Sequence, residues 1–228
     1  MSEQVLITGA NGLIGRALVE QYLGAGYRVI AQVRDTNSLL KRDNLEIVVI
    51  DFAKDSAAQL FSNIKQLDIL INNAANQEVL PIANLSRSKI EEVLKVNVIA
   101  PFELSVAAKA AGATRIINIS SVEADVAKSG HEIYGASKAA LESLTKTLAN
   151  ALAPTRVNGV RLGLIGDSEL PKRWSAGVTS WNSAVAASRY ATPEEVANFV
   201  MQISGKDFSY TTGAIFDFDG GKSASAGW

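Results

Sequence analysis

Cysteine is absent from this sequence, and histidine occurs once, as His131. No disulfide, thiolate metal site or cysteine nucleophile is available. A His-rich zinc site is excluded too, and a Ser-His-Asp hydrolase would have to use His131 itself as the base. No metal site is expected. Charge of one sign is also lacking: 22 Lys and Arg against 23 Asp and Glu leave a formal net charge of -1. No basic block is longer than Lys41-Arg42 or Lys172-Arg173. Neither nucleic acid nor an anionic membrane is therefore expected as a partner. Long apolar runs are missing as well. The chain enters Glu3-Gln4-Val5-Leu6-Ile7 with no basic segment before a hydrophobic stretch. Neither a signal peptide nor a transmembrane span is expected, and a cytoplasmic location follows by default.

What is present is a regular alternation. Short apolar, β-branched runs recur at Val5–Ile7, Val29–Val33, Ile47–Ile50, Ile69–Ile71, Ile116–Ile119, Val157–Leu162 and Ile215–Phe218. Continuous rather than alternating apolar strands suit a parallel sheet covered on both faces. Between them, Leu13–Leu23, Ile90–Ala110 and Lys138–Leu152 carry apolar residues at helical spacing. The pattern predicts an α/β fold: a doubly wound parallel sheet of the Rossmann type, in three layers, with about seven strands. Its 228 residues, with no repeat or Pro/Gly linker, predict one domain over 1–228. Residues 163–191 have no clean period and hold Trp174 and Trp181, which predicts a substrate loop or lid. Thr192-Pro193-Glu194-Glu195 reads as a capped helix start, a structural feature.

Two places carry chemistry. The first strand ends in Thr8-Gly9-Ala10-Asn11-Gly12-Leu13-Ile14-Gly15, and a helix follows. Glycines there permit a tight turn and close backbone approach, and the helix N-terminus offers free N–H groups to a pyrophosphate. The second strand ends at Val33, followed by Arg34-Asp35. A guanidinium at that place can pair with a 2′-phosphate, favouring NADP(H). Asp35, 20 positions after Gly15, sits where an NAD carboxylate is sought, so NAD(H) stays open. The other place is Tyr134-Gly135-Ala136-Ser137-Lys138, a phenol and an ammonium on one helix face. A free phenol titrates at roughly 10, and a fixed cation beside it favours its ionised form. Such a pair can exchange a proton with a carbonyl or alcohol oxygen. Ser121 at the end of the fifth strand can bond the same oxygen. Asn72-Asn73-Ala74-Ala75 ends the fourth strand at the same crevice edge. Asn97 interrupts an otherwise apolar helix, either for a function or as a local bend satisfied by water.

In this combination the chain resembles the short-chain dehydrogenase/reductase family over essentially its whole length. The motifs are the glycine turn from Thr8, Asp51, Asn72–Ala75, Asn97, Ser121, Tyr134-x-x-x-Lys138, Arg156-Val157-Asn158 and Asp219-Gly220-Gly221. The resemblance implies Tyr134 as general acid/base, with Lys138 holding the nicotinamide ribose and lowering the pKa of Tyr134. Ser121 would orient the substrate oxygen, and Asn97 would hold a water in a proton relay. The cofactor would be lined by Gly9, Asn11, Gly12, Leu13, Ile14, Gly15, Arg34, Asp51, Phe52, Asn73, Ala74, Ala75 and Ile165, as well as Tyr134 and Lys138. The substrate would be a small carbonyl or alcohol. A homo-oligomer, commonly a tetramer in this family, would form through Ile90–Ala110, Lys138–Leu152 and Ile215–Trp228.

The sequence departs from the family pattern in three ways. The turn spacing T-G-x-x-G-x-x-G resembles the nucleotide-sugar epimerase/dehydratase branch. Leu162 replaces a proline after the sixth strand, with Asp167 where a threonine is expected. The substrate loop is short. An epimerase or dehydratase, or a non-catalytic dinucleotide sensor, are accordingly the alternative functions. His131 is expected as an exposed residue at a helix start. Glu123 and Asp125 fit a pocket wall or a solvated loop equally.

Overall fold

The computed structural model describes residues 2–35 and 42–224. Seven strands form one wholly parallel sheet: β1 Gln4–Ile7, β2 Arg28–Val33, β3 Leu45–Val49, β4 Ile69–Asn72, β5 Arg115–Ser121, β6 Arg156–Leu162 and β7 Ile215–Phe218. Their spatial order is β3-β2-β1-β4-β5-β6-β7. Strand order reverses between β1 and β4, and ligand crevices open at such a point beyond the strand C-termini.

Side-chain alternation along the strands divides the core in two. Val5, Ile7, Ile69, Ile71, Ile117 and Ile119 point to one face, where they meet Leu18, Val19 and Tyr22 of α1 (Leu13–Gly24) and Val196, Val200 and Ile203 of the last helix (Pro193–Ser204). Leu6, Leu70 and Ile116 point to the other, against Leu104, Ala108, Leu148 and Ala149. Both faces are covered, so the strands read as unbroken apolar runs.

The expected helix over Ile90–Ala110 is interrupted. It comprises α2 (Arg87–Leu94), one π-turn (Lys95–Ile99) and α3 (Ala100–Ala110). The extra residue in that turn rolls Asn97 inward, where it is wholly buried. The helix after β5 begins earlier than its apolar period suggests, as α4 (Glu132–Ala151). The segment after β6 is more regular than expected, with α5 (Leu170–Arg173) and α6 (Ser175–Ala184). Short helices over a cavity bury few residues, so no period shows in the sequence. The final helix, α7 (Pro193–Ser204), starts with both halves of the capping box between Thr192 and Glu195. Among the described residues no helix is long and apolar enough to cross a membrane.

Candidate active site

At the C-terminal edge of β1 the chain turns through Gly9 with φ +62°. This left-handed conformation costs a residue with a Cβ, and a Cβ here would stand 2.8 Å from Ala74 Cα. Gly15 has no room either, because its Cβ would meet the Gly9 carbonyl oxygen at 2.2 Å. The start of α1 is thus pressed onto the turn. Gly12 precedes α1 without any side-chain cap, leaving the first-turn N–H groups and the positive end of the dipole facing the crevice. The turn is fixed from outside. The amide of Gly9 donates to Gln32 Oε1 (2.8 Å), and Gln32 Nε2 donates to the Ile50 carbonyl (2.7 Å). Asn73 Nδ2 donates to the carbonyls of Thr8 and Gly9 at 2.9 and 3.2 Å. Nothing in the motifs singles out Gln32.

β2 ends at Val33, and Arg34 is the first residue beyond it, exposed and on the cavity wall. Asp35 is exposed and does not line the cavity. Asp51 does, and its carboxyl is held below the usual range chiefly by the Lys54 ammonium (3.0 Å), with a smaller contribution from Arg34. Phe52 lies beside it on the same wall. Asn73, Ala74 and Ala75 line the cavity, whereas Asn72 does not. Asn72 is buried and donates to Asn118 Oδ1 (2.8 Å), which belongs to a polar seam with Thr145 between sheet and α4.

Tyr134 and Lys138 lie on one face of α4, buried beneath the cavity. Burial raises the Tyr134 phenol above its ordinary value, opposed by donors from Gln77 and Ser121. Lys138, expected to lower it, is engaged by the main chain. Its Nζ donates to the Ile119 carbonyl (2.8 Å) and sits 5.6 Å from the centre of the Tyr134 ring. Burial pulls its own pKa down to about 8, against a weaker upward pull from Glu142. Glu142 is taken up by a fork to Arg161 at 2.6 and 3.0 Å and by Ser120 at 2.8 Å. Ser121 lies across the cavity rim, accepting from the Glu123 amide (3.2 Å).

The Asn97 side chain is engaged by Asn76 and Ser137. Its Oδ1 accepts from Asn76 N (2.7 Å), and its Nδ2 donates to Asn76 O (3.0 Å) and Ser137 Oγ (2.9 Å). Both amide hydrogens are spent, so the side chain has no donor left for a relay water. His131 is a second correction. It does precede α4, but its side chain is only 14% exposed, with Nδ1 2.8 Å from Glu123 Oε2. The contact lies off the line of a good hydrogen bond, and neither atom has another partner. Burial follows because the loop after Ser121 folds back over the start of α4. Glu123 therefore lines the cavity, while Asp125 stays exposed.

Leu162 closes β6, and Gly163, Leu164 and Ile165 continue along the cavity. Asp167 turns away from it to pair with Arg173 at 2.8 Å. Trp181 packs on Gly163, where a Cβ would meet its ring at 2.6 Å. Trp174 is partly exposed under the Lys128 ammonium, 5.4 Å from the ring centre. Both tryptophans line the cavity.

The cavity has a volume of about 1240 Å³ and runs from Arg34 and Asp51, past the glycine turn, to Tyr134 and Trp181. A glycine cradle that a Cβ would fill, an uncapped helix N-terminus and an elongated crevice fit a dinucleotide. Among the described residues no group of His, Asp and Glu is placed to hold a metal ion.

The relatives agree with this arrangement. A family profile described as short chain dehydrogenase matches residues 3–178. The 3-oxoacyl-(acyl-carrier-protein) reductase FabG of Buchnera aphidicola is 31% identical, with 96% of each chain covered. The L-xylulose reductase of Bos taurus is 29% identical over 96% of this chain and 95% of its own. A solved 4-hydroxyisoleucine dehydrogenase complexed with NADH superposes with a TM-score of 0.92 at 29% identity, covering 99% of this chain and 100% of that one. A cradle, a buried Tyr-x-x-x-Lys helix and this kinship lead to one conclusion: the chain belongs to the short-chain dehydrogenase/reductase family and is an oxidoreductase.

Proposed function

We propose that the protein interconverts a carbonyl and a secondary alcohol on a small molecule, with NADP(H) as the preferred cofactor. The observation that carries this is the Tyr134 hydroxyl, 2.9 Å from the Gln77 amide donor at the end of a crevice shaped for a dinucleotide. Bound there, the nicotinamide supplies or accepts a hydride. The pyrophosphate would rest on Gly9 to Gly15 and the adenosine between Arg34 and Asp51–Phe52. The nicotinamide end would lie along Asn73–Ala75 and Ile165, with Lys138 at its ribose. Ser121 would hold the substrate oxygen while Tyr134 gives it a proton in reduction and takes one back in oxidation. Asn97 would act through Asn76 rather than through a water on its side chain. The named relatives, a 3-oxoacyl reductase, an L-xylulose reductase and a 4-hydroxyisoleucine dehydrogenase, support the reaction on different carbon skeletons.

The preference for the phosphorylated cofactor rests on Arg34, since among the described residues at the end of β2 Arg34 lines the cavity and Asp35 does not. Solved relatives carry either form, NADH in one and NADP in another. Thermal unfolding with matched NADPH and NADH tests it. A ligand that binds only the folded state stabilises it by about 2.7 kcal/mol at a hundredfold excess over Kd. NADPH is expected to raise Tm more than NADH, and Arg34→Ala to erase that difference. An equal response to both in the parent protein counts against Arg34.

A homo-oligomer through α2–α3 and α4 is part of the proposal. Ile99, Phe102 and Val106 form an exposed apolar stripe, 45–48% accessible, of a kind that marks protein contacts. Residues 225–228 of the expected C-terminal contact lie outside the described residues. Phe102→Glu with Val106→Glu is expected to reduce the sedimenting species to a monomer. A parent protein already monomeric at micromolar concentration defeats this part.

A further inference from the structure

Gln77 occupies a place in the cavity that the sequence motifs do not mark. Its Nε2 donates to the Tyr134 hydroxyl at 2.9 Å, across 57 residues of sequence. The loop that carries it is held on both sides. Asn97 clamps the backbone of Asn76 through N–H and carbonyl together. Asn76 Oδ1 in turn accepts from Glu78 N at 2.9 Å, and Glu78 pairs with Lys89 at 3.0 Å. The Leu80 amide donates to the Gly130 carbonyl (3.1 Å), tying the loop to the approach of α4. Gln77 itself is exposed, and it lines the cavity.

We infer that Gln77 is a positioning residue for the proposed reaction: its carboxamide fixes the Tyr134 oxygen as acceptor, so that the phenolic proton is directed into the cavity toward the substrate. This rests on Tyr134 acting as the acid/base. A phenol oxygen that accepts one bond has its own O–H free to donate elsewhere. The same donor stabilises the phenolate after the proton has gone, because hydrogen bonds to a charged acceptor are the stronger kind. Asn97 then serves the same end at one remove, by holding the loop.

The other charged and titratable groups around Tyr134 do not supply this donor. From the loop after β5, Glu123 acts the opposite way, its charge disfavouring the phenolate. Glu123 is itself met by Lys128 at 3.5 Å and by His131 at 2.8 Å. The His131 ring stands edge-on to Tyr134, with centres 6.2 Å apart. From α4, Lys138 is turned to the Ile119 carbonyl. Among the described residues Ser121 acts in the same direction as Gln77.

The test uses Gln77→Ala and Gln77→Glu in the full-length protein, with two readouts. In turnover, carbonyl reduction needs the protonated phenol and is lost as pH rises through the apparent pKa, whereas alcohol oxidation is gained there. Removing the donor is expected to move both limbs up by about one pH unit, the scale of one bond to a charged group. It should also lower kcat about tenfold at unchanged cofactor KM. The second readout needs no substrate. With carbon-13 at tyrosine Cζ, the Tyr134 resonance, identified by its loss in Tyr134→Phe, reports the tyrosinate fraction. At an alkaline pH where all the proteins remain folded, that fraction should be smaller in Gln77→Ala than in the parent. It should be smaller again in Gln77→Glu, where a carboxylate faces the phenol oxygen. Superimposable profiles and resonances would overturn the inference. A larger tyrosinate fraction in Gln77→Ala would overturn it too, showing that the carboxamide oxygen faces the phenol. If Tyr134→Phe keeps full turnover, the acid/base reading fails, while the resonance still decides whether Gln77 controls the Tyr134 oxygen.

Discussion

Replacing Tyr134 by phenylalanine is expected to lower kcat by roughly 10³-fold, the middle of the range for a positioned general acid or base. NADPH should still raise Tm in the variant. The two results separate because the hydroxyl is the only atom removed. The ring keeps its place in the first turn of α4, buried and edge-on to His131. The glycine turn and the start of α1 are held by Gln32 and Asn73 and do not touch Tyr134. The fold should suffer little. Burial already disfavours an ionised phenol here, and the loss leaves one Gln77 N–H without its acceptor, at a cost on the order of 1 kcal/mol. Steady-state kinetics with NADPH and a panel of small ketones, beside a thermal shift, give both numbers. A variant that binds NADPH and retains full turnover would move the acid/base role elsewhere in the cavity. A protein in which neither parent nor variant turns over any carbonyl, yet both bind NADPH, would bring the sensor forward.

Lys138→Met is expected to give an apoprotein that is more stable than the parent at pH 7, with turnover lost. The ammonium is buried and donates to the Ile119 carbonyl, and burial brings its pKa from an ordinary 10.5 to about 8. The sign follows from proton counts. Between pH 8 and 10.5 the unfolded chain holds a proton at this site that the native protein has released, so stability rises with pH across that window. Below pH 8 both states are charged, and the native protein carries the full desolvation penalty, about 3 kcal/mol for a shift of this size. Methionine is of similar length and carries no charge. It removes that penalty but gives up the bond to Ile119, worth about 1 kcal/mol. For a chain of this length the net gain corresponds to a rise of roughly 5 °C in Tm at pH 7. The gain should disappear above pH 10, where the parent has also lost its buried charge. Melting curves at pH 7 and pH 10 check it. A variant that melts lower than the parent at both values would show that the ammonium is compensated within the unliganded protein. The prediction also bears on function. A lysine buried at this cost is best explained by a partner that arrives with the cofactor, such as the hydroxyls of the nicotinamide ribose.

How far the sequence reaches can be seen residue by residue. The seven apolar runs, the glycine turn, the Tyr134–Lys138 face and the Thr192–Glu195 capping box are each decided within a few residues, and the structure has them in those places. Periodicity, caps and glycine conformations are local properties, because a strand or helix exposes its faces at a fixed repeat. The same local view misjudged His131, which stands at a helix start but is covered by the loop carrying Glu123. Nor could it show that the Asn97 side chain meets Asn76 and Ser137, 21 and 40 residues away. Lys138 points to a main-chain carbonyl of β5 rather than to the phenol on its own helix face.

The sequence by itself therefore determined the layered sheet, the cradle between β1 and α1, and the presence of a phenol and an ammonium one helical turn apart. Only the tertiary structure decided what meets them: Gln32 at the turn, Gln77 at the Tyr134 hydroxyl, Asn97 behind the loop, and Arg34 rather than Asp35 on the cavity wall. The reason is physical. Spacing along the chain sets which face a side chain takes, but its partners come from strands and loops brought alongside by crossovers, whose register depends on the packing of the whole sheet.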